Sequence, residues 1–434
     1  MFFQIFCISL QIKIRELDMK KYLKLLSFLS LMMFGFTSFA GNTDTIEVKS
    51  DSIMLKNDEK FALKNKLFFD IETKGFFVDN EFKRQVAYGY TLPGMRVVPR
   101  LTYFLQENVS LSLGFSALRY WGLEIYPRYL YSSVPEYSAK NNQHTIHFLP
   151  FMRFDWKIND KLSFTLGNID NSEGHGLDVA LWNSELSLSQ DYEEGMQLKY
   201  QSMIGEDELW VNWQNFNLKN DIDRESLLMG WSGNKNIYWN NYMDALSFSY
   251  AFLWQHHGGE LDTLTTLPLD HWTNGNIGVN YIHLIGKKYF QFFFLSFDYF
   301  FSKALKNDTW FFKDGHAWFA KATLYGSNYS ARIGYYYSHQ MISLYGSPFF
   351  SNLAERNPNA YYPDNHLLYG RFDYNLTKTK TFNITAFTEL FYKLDTKTNI
   401  QTEDRNLSIS IGLKMEYDDS FFIKTKRSVI NTWR

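Results

Sequence analysis

A strict alternation of apolar and polar residues is the feature of this sequence that most restricts its fold. In residues 108–117, NVSLSLGFSA, every second residue from Val109 to Ala117 is apolar, and serine or glycine stands between them. Successive side chains of a strand point to opposite faces, so this segment would have one apolar and one polar face. The pattern returns in residues 246–254, 384–392 and 407–417. With no convincing amphipathic helix between such segments, the sequence predicts an all-β fold.

The connections between the alternating segments differ regularly in length. Short polar turns are predicted at 106–108, 158–161, 205–207, 286–288, 326–328, 377–380 and 418–420. Much longer links are predicted at 75–94, 119–143, 169–194, 256–275, 303–315, 340–365 and 395–405. Tight turns at one end and long loops at the other are typical of an antiparallel up-and-down barrel in an outer membrane. A sandwich or a propeller is not expected to keep this regularity.

Segment length and aromatic placement favour a barrel that crosses a membrane. Many alternating segments are about 9 to 12 residues long, which suffices to cross a bilayer at a tilt of about 45°. An open sheet edge has no hydrogen-bond partners in hydrocarbon, so the sheet must close. Aromatic residues also gather at segment ends, where they suit the membrane interface. These are Trp156, Trp213, Trp231, Trp254, Trp318 and Tyr417. The alternative is that these rings form the core of a soluble β-fold.

The N-terminus has the features of a secretory signal peptide. Lysines follow Met19, an apolar run comes next, and Ser38 and Ala40 supply the small residues of a cleavage site after Ala40. Residues 1–18 fit no part of such a peptide, which suggests that translation begins at Met19; a membrane-anchoring helix is the alternative interpretation. The only cysteine, Cys7, lies in the removed part, so the mature chain has no disulfide. Residues 41–62 are predicted to form a flexible periplasmic segment.

Together these features resemble the porin-like outer-membrane β-barrels of Gram-negative bacteria. The resemblance covers residues 63–428, is architectural, and implies about 16 strands within a range of 14–18, with a water-filled lumen. Such barrels usually end on an aromatic residue, whereas this chain ends with Trp433 and Arg434. The closing strand is therefore either 406–417 or 420–428, and residues 429–434 are predicted to be a tail.

Strand parity places more basic than acidic side chains on the inward face. The predicted pore-lining basic residues are Arg96, Arg100, Arg153, Lys199, Arg332, Arg371 and Lys414. The predicted acidic ones are Asp155, Asp373, Glu389 and Glu416. Arg or Lys facing lipid near the midplane would cost about 2–4 kcal/mol, which favours the inward assignment. Such a lumen would prefer anions, unless the charges pair in ladders between neighbouring strands.

The link at 169–194 is the candidate constriction of the pore. It follows the fifth predicted strand, and the resemblance to porins implies an inward-folded loop there. Asp170, Glu173, His175 and Asp178 would then face the basic wall. Two alternatives stay open: an outward loop, or an extra strand pair in VALWNSELSLS.

Little in the sequence points to catalysis or to a cofactor. Hydrolase and nucleotide-binding motifs are absent in a fitting context, so no metal or other cofactor is predicted. His175, His256 and His271 are candidates for an outer-membrane hydrolase, without assignable partners. A net charge of −2 gives no reason to expect nucleic-acid binding.

The sequence thus predicts an outer-membrane channel for passive diffusion of small polar solutes, preferring anions or sugars. Its partners would be outer-membrane lipid and those solutes, with a trimer as one open oligomeric state. Tyrosine-rich loops at 119–137 and 345–365 raise the alternative of a closed barrel that binds glycans or another surface partner. An outer-membrane hydrolase is a third, minor alternative.

Overall fold

The computed structural model describes most of the chain between residues 63 and 423. The parts it does not describe in this range are 84–85, 122–145, 173, 216–224, 241–242, 259–268, 288, 307–310, 355, 358, 395–396 and 403–405. The predicted signal peptide, the segment 41–62, the tail 429–434 and most of the loop at 119–137 lie outside the described residues. Among the residues described, no helix is both long and apolar enough to cross a membrane.

Sixteen antiparallel strands close into one barrel, in which each strand pairs with its neighbours in sequence and β1 pairs with β16. They are β1 (Leu67–Glu81), β2 (Tyr90–Gln106), β3 (Val109–Tyr120), β4 (His147–Lys157), β5 (Leu162–Asn168), β6 (Glu194–Ser202), β7 (Gly205–Asn215), β8 (Ser226–Asn240), β9 (Asp244–His257), β10 (Asp270–Leu284), β11 (Phe292–Lys306), β12 (Asp314–Tyr325), β13 (Tyr329–His339), β14 (Asp364–Lys378), β15 (Phe382–Lys393) and β16 (Asn406–Ile423). The predicted fold class and strand number are confirmed.

The closing strand differs from both sequence alternatives. β16 is one strand of 18 residues, and the turn predicted at 418–420 lies inside it. It pairs without interruption with β1, from Leu67 opposite Ile423 to Glu81 opposite Ile409. Because β1 is 15 residues long, a strand that ended at 417 would leave much of its edge unpaired in the membrane.

The link predicted at 75–94 is also shorter than expected. β1 continues to Glu81 and β2 begins at Tyr90, with Gly75 opposite Met95. Inward Phe76 and Val78 and outward Phe77 maintain the alternation there, so the strands extend beyond the predicted bounds. The loop that remains covers only residues 82–89.

Exposure is inverted relative to a soluble protein. On β3, the apolar side chains of Leu113 and Phe115 are 49% and 46% exposed, whereas Ser112 before them and Ser116 after them are each only 4% exposed. Met152 on the next strand is 58% exposed. Outward apolar and inward polar side chains are what a lipid-facing barrel requires. The chain is an outer-membrane barrel, with long loops on the outer side and short turns on the periplasmic side.

Candidate functional site

Two long loops fold into the lumen and meet there. The first inward segment, residues 169–193, follows β5, and the second, residues 340–363, follows β13. Their parent strands lie on opposite sides of the barrel. The backbone N–H of Asn183 donates to the carbonyl of Tyr345 at 2.7 Å, and the Trp182 and Tyr345 rings stack with centroids 5.7 Å apart. The two segments therefore bridge the lumen.

The bridge is a hydrophobic core within the barrel. Leu181, Trp182 and Leu186 of the first segment and Tyr345 and Phe350 of the second are almost completely buried. They pack against inward aromatic side chains of the wall. These wall residues are Trp210, Trp272, Phe300, Phe319, Tyr336, Tyr369 and Phe391. Apolar burial on this scale is the main stabilisation of the inward conformation.

Local backbone geometry turns the first segment sharply. Gly174, His175 and Gly176 have φ values of 59°, 55° and 66°, in the left-handed region. Glycine adopts this conformation readily, but His175 does so at a cost of about 1–2 kcal/mol. A short helix α1 (Leu186–Ser189) follows. The strand pair considered for VALWNSELSLS does not form, and instead these residues pack into the lumen core.

His175 is fixed between two carboxylates. Its Nε2 lies 2.9 Å from Glu193 Oε2, its Nδ1 contacts Glu208 on β7, and its ring stacks on Trp210 with centroids 4.1 Å apart. Burial lowers the pKa of His175, but the charges and hydrogen bonds of the two carboxylates outweigh burial and raise the pKa to about 9. The side chain is therefore a buried imidazolium at neutral pH, with both ring nitrogens engaged.

Two buried basic side chains of the wall also hold the first segment. Arg96 on β2 is 1% exposed and donates to the carbonyls of Gln190 at 2.9 Å and Ser187 at 3.4 Å. Lys321 on β12 contacts the Asp178 carboxylate and lies 3.0 Å from Asp298. These contacts satisfy charged groups that burial would otherwise destabilise. The segment is attached to the wall on two sides of the barrel.

The second segment is fixed by side-chain amides bound to its backbone. Asn274 on β10 donates to the carbonyl of Ile342 at 2.7 Å and accepts from the N–H of Leu344 at 3.0 Å. Asn365 on β14 donates to the carbonyl of Phe349 at 2.9 Å. These bonds satisfy buried backbone groups of a non-repetitive segment, which would otherwise lose hydrogen bonds to water.

A cavity of about 60 Å³ remains beside the bridge, and we call it the lateral cavity. It lies between Asn183–Leu188 of the first segment, Ser347 of the second, and the wall formed by β1, β2 and β14–β16. Cations and carboxylates both line it, including Arg371, Lys414, Glu185 and Glu389. Its volume accommodates water molecules, and its lining supplies many hydrogen-bonding groups.

Glu185 closes one side of the lateral cavity. Its carboxylate accepts hydrogen bonds from Asn80 Nδ2 at 2.9 Å and from the Tyr90 hydroxyl at 2.7 Å. Arg371 of β14 donates to Ser184 Oγ at 3.0 Å from another side. The boundary between the segment and the wall here is made of hydrogen bonds rather than apolar packing.

All eleven charged wall residues singled out in the sequence lie on inward positions of their strands. Several are paired: Arg96 and Arg100 approach Glu72, Arg371 pairs with Asp373 and Glu389, and Lys414 pairs with Glu416. The others make polar contacts. Arg153 donates to the carbonyl of Asn168, Arg332 donates to Thr323 Oγ1, and Asp155 accepts from Thr165. The pairing expected of structural ladders is thus extensive.

The residues predicted for the constriction take different positions. Asp170 pairs with Lys199 at 3.2 Å; burial raises the pKa of Asp170, but the nearby cations and Ser172 outweigh this and lower it well below its usual range. His175 and Asp178 are buried in the contacts described above. Glu173 lies outside the described residues. The three described residues attach the segment to the wall, and none of them lines the lateral cavity.

Sequence reasoning missed several residues of the site. Asp70, Glu72 and Lys74 on β1 point inward and complete the charge ladder with Arg96 and Arg100. Glu208 also escaped notice, although its parity with Trp210 in DELWVNWQ could have revealed it. Glu185 lies in a loop, where parity gives no information.

Within the described part of the chain, no group of three or more histidine, cysteine or acidic side chains is placed to hold a metal ion. His256 and His271 instead contact each other on the outward face, with ring centroids 4.8 Å apart.

The fold and the occupied lumen define an outer-membrane barrel whose interior is crossed by its own loops. The family model described as lipid A 3′-O-deacylase-type matches residues 55–426, which is most of the sequence. The chain belongs to this lipid A 3′-O-deacylase-type family. No curated protein matches its sequence.

Solved outer-membrane proteins show a remote structural similarity. OprD from Pseudomonas aeruginosa matches with 9% identity and a TM-score of 0.46, over 83% of this chain and 95% of its own. OccAB2 from Acinetobacter baumannii matches with 9% identity and a TM-score of 0.48, over 84% and 100%. Similarity this remote bears on neither activity nor ligand.

Proposed function

We propose that this barrel is a narrow outer-membrane channel for small polar solutes, with its path through the lateral cavity. The observation that carries the proposal is the position of that cavity, in the lumen between the inward segments and the wall. Its lining of hydroxyls, amides and charges can replace hydration of a polar solute. The apolar core next to the cavity, which packs against β7 and β10–β15, excludes water and confines the path to the side of β1, β2 and β16.

The charge pairing of the wall supports weak ion selectivity. Arg371 and Lys414 face the cavity together with Glu185 and Glu389, so the positive and negative groups that a solute meets are balanced. The wider ladder of β1 and β2 is paired in the same way. We therefore propose that any preference for anions or sugars is modest and arises at the cavity.

Conductance in planar bilayers tests this function. We expect the purified protein to give small ohmic steps, and Glu185→Ala to enlarge them because it removes the acceptor shared by Asn80 and Tyr90. Glu107→Ala is the matched control, since Glu107 binds backbone N–H groups at the periplasmic turn, away from the cavity. A folded barrel that stays silent in both the native and the Glu185→Ala form contradicts the channel and supports the closed, surface-binding alternative.

A second candidate function follows from the family. Its name indicates hydrolysis of an acyl ester of lipid A, and such a reaction needs a base to activate water. The lateral cavity has no histidine among the residues that line it. His175 has both ring nitrogens bound to carboxylates, so it has no lone pair available for proton abstraction. A hydrolase of this fold would therefore need a base elsewhere, and release of fatty acid from lipid A in vesicles tests this candidate.

A further inference from the structure

The outer ends of β12, β13 and β14 carry three histidines on their lipid-facing side. His316 lies opposite His339, and His339 lies opposite Asp364. His366 lies opposite Tyr337. It is the next lipid-facing residue of β14 after Asp364, and it is closer to the membrane centre. This group of His316, His339, Asp364 and His366 is the rim cluster. It is separate from the lumen site, because Ser338 and Asn365 between its members point inward and are completely buried.

Aromatic residues place the rim cluster at the membrane interface. Trp318 lies next to both Tyr335 and Tyr337, with ring centroids 5.1 and 6.0 Å apart. Tyrosine and tryptophan concentrate where the hydrocarbon of a membrane meets the lipid head groups. The cluster borders these rings on the side of the long outer loops. It therefore lies at the level where acyl chains are esterified to lipid head groups.

Hydrogen bonding gives His339 the arrangement of a general base. Its Nδ1 lies 2.8 Å from Asp364 Oδ1, and an ionised carboxylate can only accept, so Nδ1 carries the proton. In the neutral form of the ring, the lone pair is therefore on Nε2. The Tyr337 hydroxyl donates to the same Asp364 oxygen at 3.1 Å and so fixes the carboxylate. The His339 and Asp364 side chains are 40% and 44% exposed, so lipid and water can reach them.

His366 has the opposite arrangement. Its Nδ1 lies 2.6 Å from the Tyr335 hydroxyl. A phenol is a stronger acid than a neutral imidazole N–H, so the tyrosine donates and Nδ1 accepts. The proton of His366 then lies on Nε2, where it can be donated to a ligand. Since residues diagonal to each other on neighbouring strands are about 7–8 Å apart, one ester group can reach both imidazoles.

We propose that the rim cluster is a hydrolytic site for acyl esters of outer-leaflet lipids, a proposal that rests on the second candidate function. His339 Nε2 accepts a proton from water as its oxygen attacks the ester carbonyl carbon. The Nε2–H of His366 donates to the oxyanion that forms. When the ester C–O bond breaks, His339 returns the proton to the leaving alkoxide. The products are a fatty acid and an alcohol, and Asp364 and Tyr335 act as positioning residues.

The periplasmic end of the barrel supplies a matched control. His283 Nδ1 lies 2.7 Å from Asp244 Oδ1, and Tyr281 donates to the same oxygen at 2.6 Å. This trio also faces lipid, with His283 45% exposed. His283 and Asp244 thus have the same hydrogen bond as His339 and Asp364, but no second histidine placed like His366 lies beside them. They also face the periplasmic leaflet, whereas the rim cluster faces the outer leaflet.

Mass spectrometry of lipids tests the site, with the protein in vesicles that contain lipid A and glycerophospholipid. We expect native protein to release fatty acid, and His339→Asn and His366→Phe to slow release about 100-fold or more, in line with the usual contribution of acid–base catalysis. Asp364→Asn should lower kcat, and Asp364→Glu should restore it. His283→Asn should change the rate less than 2-fold, roughly within the error of such assays. The lipid that loses its chain identifies the substrate.

Several outcomes overturn the proposal. Native protein that releases no fatty acid from either lipid refutes both the site and the second candidate function. His147 at the start of β4 has its Nε2 3.5 Å from the carboxylate of Asp191 in the first inward segment. Release that persists in His339→Asn but stops in His147→Asn places hydrolysis in the lumen, which keeps the candidate function and refutes the rim site. Equal losses in His339→Asn and His283→Asn mean that the pairs serve the barrel structure. Circular dichroism of each purified variant shows whether the barrel is folded, and this measurement depends on neither hydrolysis nor conductance.

Discussion

The imidazole of His175 and the indole of Trp210 lie parallel, with an interplanar angle of 5° and ring centroids 4.1 Å apart. An imidazolium over an indole face is favourable because the ring's negative face attracts the cation. Glu193 belongs to the first inward segment and Glu208 to the wall, so one charged ring joins the loop to the barrel. The charge of this one side chain therefore adds to the apolar core and to the contacts of Arg96 and Lys321 in holding the segment in place.

Alkaline pH should loosen the first inward segment. The pKa of His175 is raised to about 9 in the folded protein, above the value of about 6.5 for an unperturbed histidine. A raised pKa stabilises the folded state fully below the unfolded value, and this contribution is lost as the pH rises through about 9. We expect conductance steps to become larger or noisier between pH 8 and 10. In a His175→Gln variant, conductance should not change over this pH range; an unchanged profile in native protein contradicts the role of the charge.

Removing the His175 side chain alone should cost more than removing it together with the Glu193 carboxylate. His175→Ala leaves the buried carboxylate of Glu193 without its cation, and breaking a buried pair costs about 3–5 kcal/mol. Adding Glu193→Ala removes the unpaired charge as well, so the double variant should be more stable than His175→Ala alone. Unfolding in detergent by urea, followed by tryptophan fluorescence, gives the three free energies. Strict additivity of the two substitutions would contradict the coupling.

The barrel could be predicted from sequence because its rule is local. Alternation along each strand, as from Val109 to Ala117, determines which side chains face lipid, and turn length determines which end is periplasmic. Strand ends were less predictable. Asp418, Asp419 and Ser420 favour a turn by their residue types, but they lie within β16. Their backbone pairs with β1, and this pairing outweighs the turn preference. The residues around 418–420 do not reveal how β16 aligns with β1, which is more than 300 residues away in the sequence.

The interior of the lumen could be predicted only in part. The inward path of residues 169–193 came from a resemblance, but its partner, the second inward segment, gave no signal. Trp182 and Tyr345 are in contact but far apart in the sequence. Both lie in loops, where no alternation of apolar and polar residues indicates which way a side chain points. The histidines of the rim cluster were not among the predicted site residues. Their meeting depends on the register of β12–β14, which the sequence does not state.

Arg96→Met should release α1 from the wall without leaving a buried charge unpaired. Arg96 donates to the carbonyls of Ser187 and Gln190, and Met fills similar space without donors. Glu72 keeps Lys74 and Arg100 within 3.7 and 3.4 Å. We expect a loss of about 1–3 kcal/mol in the free energy of unfolding, and more frequent open events in bilayers. Lys303→Met, at an exposed outer pair, should change neither measurement.

A pair of arginine substitutions on β3 should distinguish the lipid face from the lumen face. Leu113 near the middle of the strand is 49% exposed on the outward side, and Arg there should destabilise the barrel by about 2–4 kcal/mol. Ser112, the preceding residue, points inward and contacts the Thr102 hydroxyl. The arginine side chain of Ser112→Arg would extend toward the lumen and the wall carboxylates. The loss in the free energy of unfolding should therefore be smaller than for Leu113→Arg and should come from steric contacts with neighbouring side chains. Urea unfolding in lipid vesicles measures both costs, and a larger loss for Ser112→Arg would reverse the assignment of the two faces.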